Sequence, residues 1–454
     1  MAGTVLDRRQ PVGQFLRAHT EFTFDIEEYL LSTQCVDGLE KRFADFKRSM
    51  EGEAEHWPAR RLIEDAVQQG ACDWVAAYQS YRNTSNIATW PFTDKSAVRA
   101  APEDFVSVDL PRSALFRKTT TGSSGSPLPI WHSAEFYFDG LLLAIPKIAW
   151  FLGARDAGTR SIFCISLSDD RMKQEFITAD PTGRNGLGVR MVVDERRLET
   201  YDRALASIAE LTPACISSKP SVLESLAARA DTFPGSLPSG TSFIISSGAK
   251  LGVGLRARLE RAFNCPAVEA YGMTEFGVIA YPCSRDSLHI DTSSMFLEIV
   301  DADGKVLQEG QQGEIVVSSL SNRAMPLLRY RTGDLGALEL TKCCCGSSAP
   351  CLTQLSGRII RCLRLPSGRL FAPTFFNDLF VRFGWLAEFQ ISQISRDAIE
   401  ILLEIRPGTN GSAGDLSREV EAYVRNSLPE PLAVCVKTAY FRKDAKFQRF
   451  RSCL

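Results

Sequence analysis

Thr119-Thr120-Thr121-Gly122-Ser123-Ser124-Gly125-Ser126-Pro127 sets hydroxyls around two glycines and closes on a proline. Glycine permits positive φ and close backbone approach, so successive N–H groups can turn toward one point while Ser and Thr add further donors. The run reads as a loop able to wrap a polyphosphate. Taken alone, a polar surface turn explains it better. It is not a Walker A loop, because no Gly-Lys-Ser/Thr ending follows to set a lysine on the phosphates. The company it keeps along the chain decides the matter.

Upstream, residues 12–110 alternate polar and apolar positions at helical spacing, as in Phe22-Asp25-Ile26-Tyr29-Leu30 and Leu62-Ile63-Ala66-Val67, which predicts a mainly helical opening segment. His19, His56, Trp57, Trp74 and Trp90 read there as packing or surface residues. Met1 to Gly13 has no apolar core and is not a secretory signal, and the longest apolar run, Leu141 to Ala154, is interrupted by Pro146 and Lys147 and too short to cross a bilayer. Unexported, the 13 cysteines are expected as reduced thiols in a cytoplasmic protein. A net charge of −2 from 52 basic and 54 acidic side chains gives no field for nucleic acid or an anionic membrane.

Downstream, helix-like and strand-like runs alternate: Phe136 to Leu152, Ser161 to Leu167, Gly188 to Val193, Glu199 to Leu211, Ala214 to Ile216, Val222 to Ala230 and Thr241 to Ile245. Such alternation predicts an α/β architecture with largely parallel sheets. Gly252-Val253-Gly254 is too short for a dinucleotide fingerprint.

Then come Glu269-Ala270-Tyr271-Gly272-Met273-Thr274-Glu275-Phe276-Gly277, Tyr330-Arg331-Thr332-Gly333-Asp334-Leu335, Leu355-Ser356-Gly357-Arg358 and, near the end, Lys446-Phe447-Gln448-Arg449. With the glycine loop, in this order and at these separations, they resemble the signature motifs of the adenylate-forming superfamily of acyl-CoA synthetases, luciferases and nonribosomal adenylation domains. The resemblance covers the chain from about residue 117 onward and is closest to the phenylacetate-CoA ligase branch. It implies a layered α/β fold in two parts. A large ATP- and acid-binding domain covers residues 1–356, with 1–110 as its helical opening segment, and a small mobile α+β domain covers 357–454 and carries a catalytic lysine.

The implied activity is ATP-dependent conversion of a carboxylic acid, an aromatic one by its pocket, into an acyl-adenylate with release of pyrophosphate, then transfer to a thiol, coenzyme A first. Alternatives are transfer to a carrier protein or amine, and a catalytically silent nucleotide-binding relative. A carboxylate attacking the α-phosphate meets repulsion, so the site must neutralise phosphoryl charge and hold attacker and leaving group in line. The resemblance assigns Thr120, Thr121, Gly122, Ser123, Ser124 and Gly125 to the phosphates, Thr274 to the α-phosphate, and Glu275 to Mg²⁺. It assigns Asp334 to the ribose hydroxyls with Arg358 beside it, and Ser247, Gly248, Ala249, Tyr271 and Gly272 to the adenine slot. Lys446 would reach the carboxylate and α-phosphate in the transition state. Each has a plainer reading as a cap, a turn or a solvated charge.

Phe136, Tyr137, Ala270, Met273 and Gly277 are candidate walls for the acid, aromatic and little charged, suited to a planar aryl acid. Phe136 and Tyr137 read equally as helix core. A second cluster stands apart from ATP. Cys283 with His289 and Cys343 with Cys345 form two pairs able to give a tetrahedral, structural Zn²⁺ four ligands, with Cys344 or Cys351 as substitutes and plain reduced thiols as the alternative. Three departures bear on activity: Leu128 replaces the loop lysine usual in the superfamily, Arg361 stands at the hinge, and Ala445 replaces the glycine before Lys446. The expected partners are a small carboxylic acid and a CoA or carrier-protein thiol, with a homodimer permitted and neither nucleic acid nor membrane.

Overall fold

The computed structural model describes residues 34–452 apart from 52–57, 69–70, 82–83, 85, 121–127, 155–161, 168–175, 179–187, 195–196, 234–236, 238–239, 249, 286, 359–361, 369, 372–375, 377–378, 380–381 and 442–449. Helices α1 (Gln34–Glu51), α2 (Pro58–Gln68) and α3 (Lys95–Ala100) open it, with short 3-10 turns between Ala71 and Ala114. The Asp94 carboxylate caps α3 by accepting from the Ala97 amide at 2.7 Å. The hairpin β1 (Phe116–Thr119) and β2 (Pro129–His132) flanks the glycine loop, followed by α4 (Ala134–Leu142) and α5 (Ala144–Phe151). The single helix expected over 136–152 divides at Leu143. Pro146 has no N–H for the carbonyl four residues back, so the ladder cannot run through.

A six-stranded sheet comes next: β3 (Ile162–Leu167), β4 (Phe176–Thr178), β5 (Gly188–Val193), β6 (Cys215–Ser218), β7 (Phe243–Ser246) and β8 (Ala267–Glu269) in spatial order β4-β5-β3-β6-β7-β8. All pairs but β4 with β5 are parallel. Helices α6 (Leu198–Leu211), α7 (Pro220–Ala230) and α8 (Val253–Phe263) cross over between strands and pack Leu205, Ile208, Leu223, Leu226 and Leu259 against Met191, Ile216 and Ile244. α1 and α5 pack from another side, Phe46, Met50 and Ile148 joining Ile245 and Val268.

The second large sheet of the layered fold is antiparallel, where the alternation predicted largely parallel sheets. Strands β9 (Tyr271–Met273), β10 (Gly277–Pro282), β11 (Leu288–Ile290), β12 (Phe296–Val300), β13 (Gly313–Ser319), β14 (Leu327–Glu339) and β15 (Cys351–Arg358) form one antiparallel sheet in the order β12-β13-β14-β15-β11-β10-β9. The opening segment lies on it, burying Ile63, Val75, Trp90, Val98 and Phe105 against Ile299, Ile315, Val317 and Tyr330.

The C-terminal part has a core of its own. A small antiparallel hairpin, β16 (Leu363–Arg364) with β17 (Leu370–Phe371), opens it. It precedes β18 (Leu386–Ser395), β19 (Ala398–Ile405), α9 (Ala413–Ser427), β20 (Ala433–Thr438) and β21 (Phe450–Ser452). Their sheet has the order β20-β19-β18-β21, with the last strand, β21, pairing parallel to β18. No helix among the described residues is long and apolar enough to cross a membrane.

Candidate active site

β9 and β10 form a tight hairpin whose turn is Thr274-Glu275-Phe276, with the Phe276 amide donating to the Met273 carbonyl at 3.2 Å. The hairpin needs its glycines. A Cβ on Gly272 would lie 2.4 Å from the Gly277 carbonyl oxygen, and Gly277 holds a φ of 70°. Glu275, only 3% exposed, accepts from the Tyr330 hydroxyl at 3.1 Å. Burial and the adjacent Glu275 charge push the Tyr330 phenol well up, so it stays a donor.

Asp334 lies further along β14, directly opposite Arg358 on β15, with Nε to Oδ1 at 3.2 Å. Its other oxygen accepts from the Tyr271 hydroxyl at 3.0 Å. Burial pushes the Asp334 carboxyl up, and the Arg358 charge opposes it. Arg358 also donates to the Thr332 carbonyl at 2.6 Å, which holds the guanidinium beside the carboxylate. Three strands that are distant in sequence thus bring Tyr271, Glu275, Asp334 and Arg358 together.

Three neighbours of this group were not assigned a role from the sequence. Tyr330, which opens the motif that carries Asp334, is one. Lys95, in the first turn of α3, lies within electrostatic reach of Glu275 and Arg358; burial lowers its pKa against the pull of Glu275. It is delivered by Thr93, which bridges Tyr330 on β14. His132, ending β2 and 4% exposed, donates from Nε2 to the Thr274 carbonyl at 2.8 Å. Only spacing in the folded chain reveals their places.

The remaining candidates divide. Thr120 pins the neck of the glycine loop, its hydroxyl accepting from the Leu128 amide at 3.2 Å and its own amide donating to the Leu128 carbonyl at 2.9 Å. Leu128 is fully buried, which accounts for an apolar residue at a position where the superfamily usually has lysine. Thr121, Gly122, Ser123, Ser124, Gly125, Ala249, Arg361, Ala445 and Lys446 lie outside the described residues. Ser247 and Gly248 (φ 83°) follow the carboxyl end of β7, the side of a parallel sheet where ligands bind. Ala270 is tied to that strand, its amide donating to the Ser246 carbonyl at 3.1 Å.

Phe136 packs on the hairpin, 3.6 Å from where a Cβ on Gly277 would sit, and Met273 pairs with Gly277 across it. Tyr137 turns elsewhere, stacking on Phe116 at 4.8 Å with the Lys118 ammonium 4.5 Å from its ring. Phe136, Met273 and Gly277 therefore meet at the hairpin, while Tyr137 stacks on Phe116.

The cysteine cluster assembles around His289 on β11. Ligand atoms of Cys283, His289, Cys343 and Cys345 all lie within 4.8 Å of one another. His289 Nδ1 donates to the Ala349 carbonyl at 3.1 Å, leaving Nε2 toward the sulfurs, 3.2 Å from Cys345 Sγ. Amides of Arg285, Cys345 and Ser347 donate to the three sulfurs at 3.4 to 3.5 Å. Burial works to raise the Cys343 thiol, but bonds from the Cys345 amide and with Ser287 prevail and bring it down to about 7. Cys351 reaches His289 at 3.5 Å on the Nδ1 side, and Cys344 is exposed. Three sulfurs and an oriented imidazole fit a tetrahedral Zn²⁺ with no position left over for water.

Comparison with known proteins agrees with this geometry. The family described as AMP-binding enzyme matches residues 184–323. Phenylacetate-coenzyme A ligase of Pseudomonas putida is 28% identical over 200 residues, covering 40% of this chain and 44% of that protein. The Aromatoleum evansii protein of the same name is 30% identical over 165 residues, 34% of this chain and 37% of its own. The matched stretches thus span less than half the length of these relatives. Among solved structures, 2-hydroxyisobutyryl-CoA ligase in the postadenylation state superposes with a TM-score of 0.63 at 17% identity, covering 93% of this chain and 90% of that one. An anthranilate CoA ligase in complex with anthranoyl-AMP gives 0.53 at 14% identity, covering 75% and 65%. In the domain matched over residues 184–323 and in the fold around it, the chain is similar to the AMP-binding and acyl-CoA ligase proteins of the adenylate-forming superfamily.

Proposed function

We propose that the chain activates a carboxylic acid with ATP, forming an acyl-adenylate and releasing pyrophosphate, and then passes the acyl group to the thiol of coenzyme A. The observation that carries this reading is the meeting of Asp334, Tyr271 and Arg358 with Glu275 at one end of the antiparallel sheet. A carboxylate steadied by a tyrosine and an arginine is an acceptor for two ribose hydroxyls. Glu275 would hold Mg²⁺, which would offset phosphate charge. The α-phosphate would then lie between ribose and metal, beside Thr274, with Lys95 as a cation from a separate element. That cation matters because the glycine loop has no lysine of its own after Pro127.

Lys446 is proposed as the catalytic cation of a C-terminal domain over 357–454 that swings between the two half-reactions. Zinc held by Cys283, His289, Cys343 and Cys345 would be structural. The phenylacetate-coenzyme A ligase relatives support coenzyme A as acceptor and an aryl acid as substrate. The test is exchange of labelled pyrophosphate into ATP across a panel of aryl and short aliphatic acids, with Asp334→Ala and Lys446→Ala alongside. Exchange with one acid, reduced at least about a hundredfold in both variants, is expected. Silence across the panel in folded protein that still binds ATP would leave a nucleotide-binding scaffold.

A further inference from the structure

We propose that Nδ1 of His132 accepts a hydrogen bond from the acid substrate, so that the acid this chain prefers is an aryl acid bearing a hydroxyl or amino group. This deepens the adenylation reading and rests on it. The argument starts from the tautomer. A carbonyl oxygen can only accept, so the 2.8 Å contact with Thr274 requires the proton on Nε2. The ring is neutral, because burial, helped by the nearby Lys118 charge, pushes its pKa down to about 4. Nδ1 is therefore a lone pair.

That lone pair is orphaned. It is buried, and among the described residues no donor reaches it. Buried acceptors are nearly always paired, and leaving one unpaired costs stability that a folded protein retains only for a reason. Its location supplies the reason. On one side His132 holds the turn that carries Thr274 and Glu275. On the other its ring meets Phe136 edge to face at 4.8 Å, and Phe136 packs over Gly277 in the wall proposed for the acid. The histidine thus joins the nucleotide end of the site to the aryl end. The acid's own carboxylate offers no hydrogen to a lone pair, so the partner is another group on the acid, a hydroxyl or an amine.

The test compares kcat/KM in pyrophosphate exchange for benzoate with the three hydroxybenzoates and three aminobenzoates, in the parent chain, His132→Phe and His132→Gln. The readout is the preference ratio, since loss of support for Thr274 would slow all acids alike and leave the ratio unmoved. One hydroxyl or amino isomer is expected to exceed benzoate by about tenfold or more in the parent. The ratio should fall to near one in His132→Phe and persist in His132→Gln, which keeps a donor for Thr274 and an acceptor beside it. A parent that favours benzoate, or a preference that survives His132→Phe, would overturn the inference. The parent ratio decides even if a variant does not fold. Exchange without preference overturns this inference alone, whereas no exchange with any acid overturns the adenylation reading together with it.

Discussion

Asp334, proposed to hold the ribose hydroxyls, is a side chain whose part in the fold and whose proposed chemistry have opposite signs. Its folded pKa is raised, chiefly by burial. An acid whose pKa is higher folded than unfolded costs the fold stability when ionised, and that cost disappears as pH falls through the raised value. Ribose binding runs the other way, because only the carboxylate accepts from both hydroxyls. Affinity for adenosine, which has no phosphate to titrate, is therefore expected to fall on acidification above the ordinary aspartate range. Asp334→Asn should bind weakly and without that pH dependence; calorimetric titration from about pH 4 to 8 measures both. Unchanged affinity in Asp334→Asn would remove Asp334 from the ribose site. At this scale the chemistry-bearing residues Glu275, Asp334 and Arg358 were legible, because each sits in a local motif. The pairing of Tyr330 with Glu275 and the places of Lys95 and His132 were not, because a hydrogen bond or a field between residues 55 or 142 apart leaves no trace in spacing along the chain.

Among elements, the cysteine cluster joins the end of β10, the short strand β11 and the loop between β14 and β15. That loop also holds the opening helix: the Ser347 hydroxyl and Ser348 amide both donate to the Met50 carbonyl at the end of α1, at 2.9 and 3.3 Å. A metal there would brace two layers at once. Elemental analysis is expected to find one zinc per chain, with Cys345→Ser losing it and lowering Tm by more than about 5 °C. Hydrogen exchange should rise in α1 as well as in the loop. Metal-free protein with an unaltered melting curve would leave the cluster as plain thiols. The two Cys and Cys/His pairs were visible in the sequence, but the choice of Cys345 over Cys344 depends on which thiol points inward. The antiparallel sheet escaped the sequence reading for a related reason. Its strands β9 to β15 coincide with the signature motifs, whose glycines, threonines and charges mask the alternation that marks a strand.

For the whole molecule, the opening segment is clamped to the antiparallel sheet by Arg329. Nearly buried, it pairs with both oxygens of Glu298 at 3.0 and 2.9 Å and donates to the carbonyls of Ala88 and Trp90 at 2.7 and 2.6 Å. Its guanidinium also lies over the Phe92 ring at 4.1 Å. Four of the five guanidinium N–H donors are paired, and removing one partner strands a buried charge. Arg329→Met is expected to destabilise by about 3–5 kcal/mol in denaturant titration and Glu298→Gln by somewhat less. It should also weaken ATP binding, since Thr93 and Lys95 follow directly from the clamped stretch. A loss of stability below about 1 kcal/mol would mean the clamp is dispensable.

The sequence alone determined the alternating α/β core, the order of the signature motifs and the residue types of the Cys/His cluster. These are local properties: periodicity, turn chemistry and short motifs express how a segment satisfies its own backbone and hides its own apolar face. Tertiary structure alone decided that the motifs lie on one antiparallel sheet, that Lys95 and Tyr330 join Glu275, that Phe136 packs on the hairpin while Tyr137 stacks on Phe116, and that among the described residues His132 is left with an unpaired acceptor. Each depends on which distant segments share a layer, and that is set by packing the apolar faces of the whole chain at once.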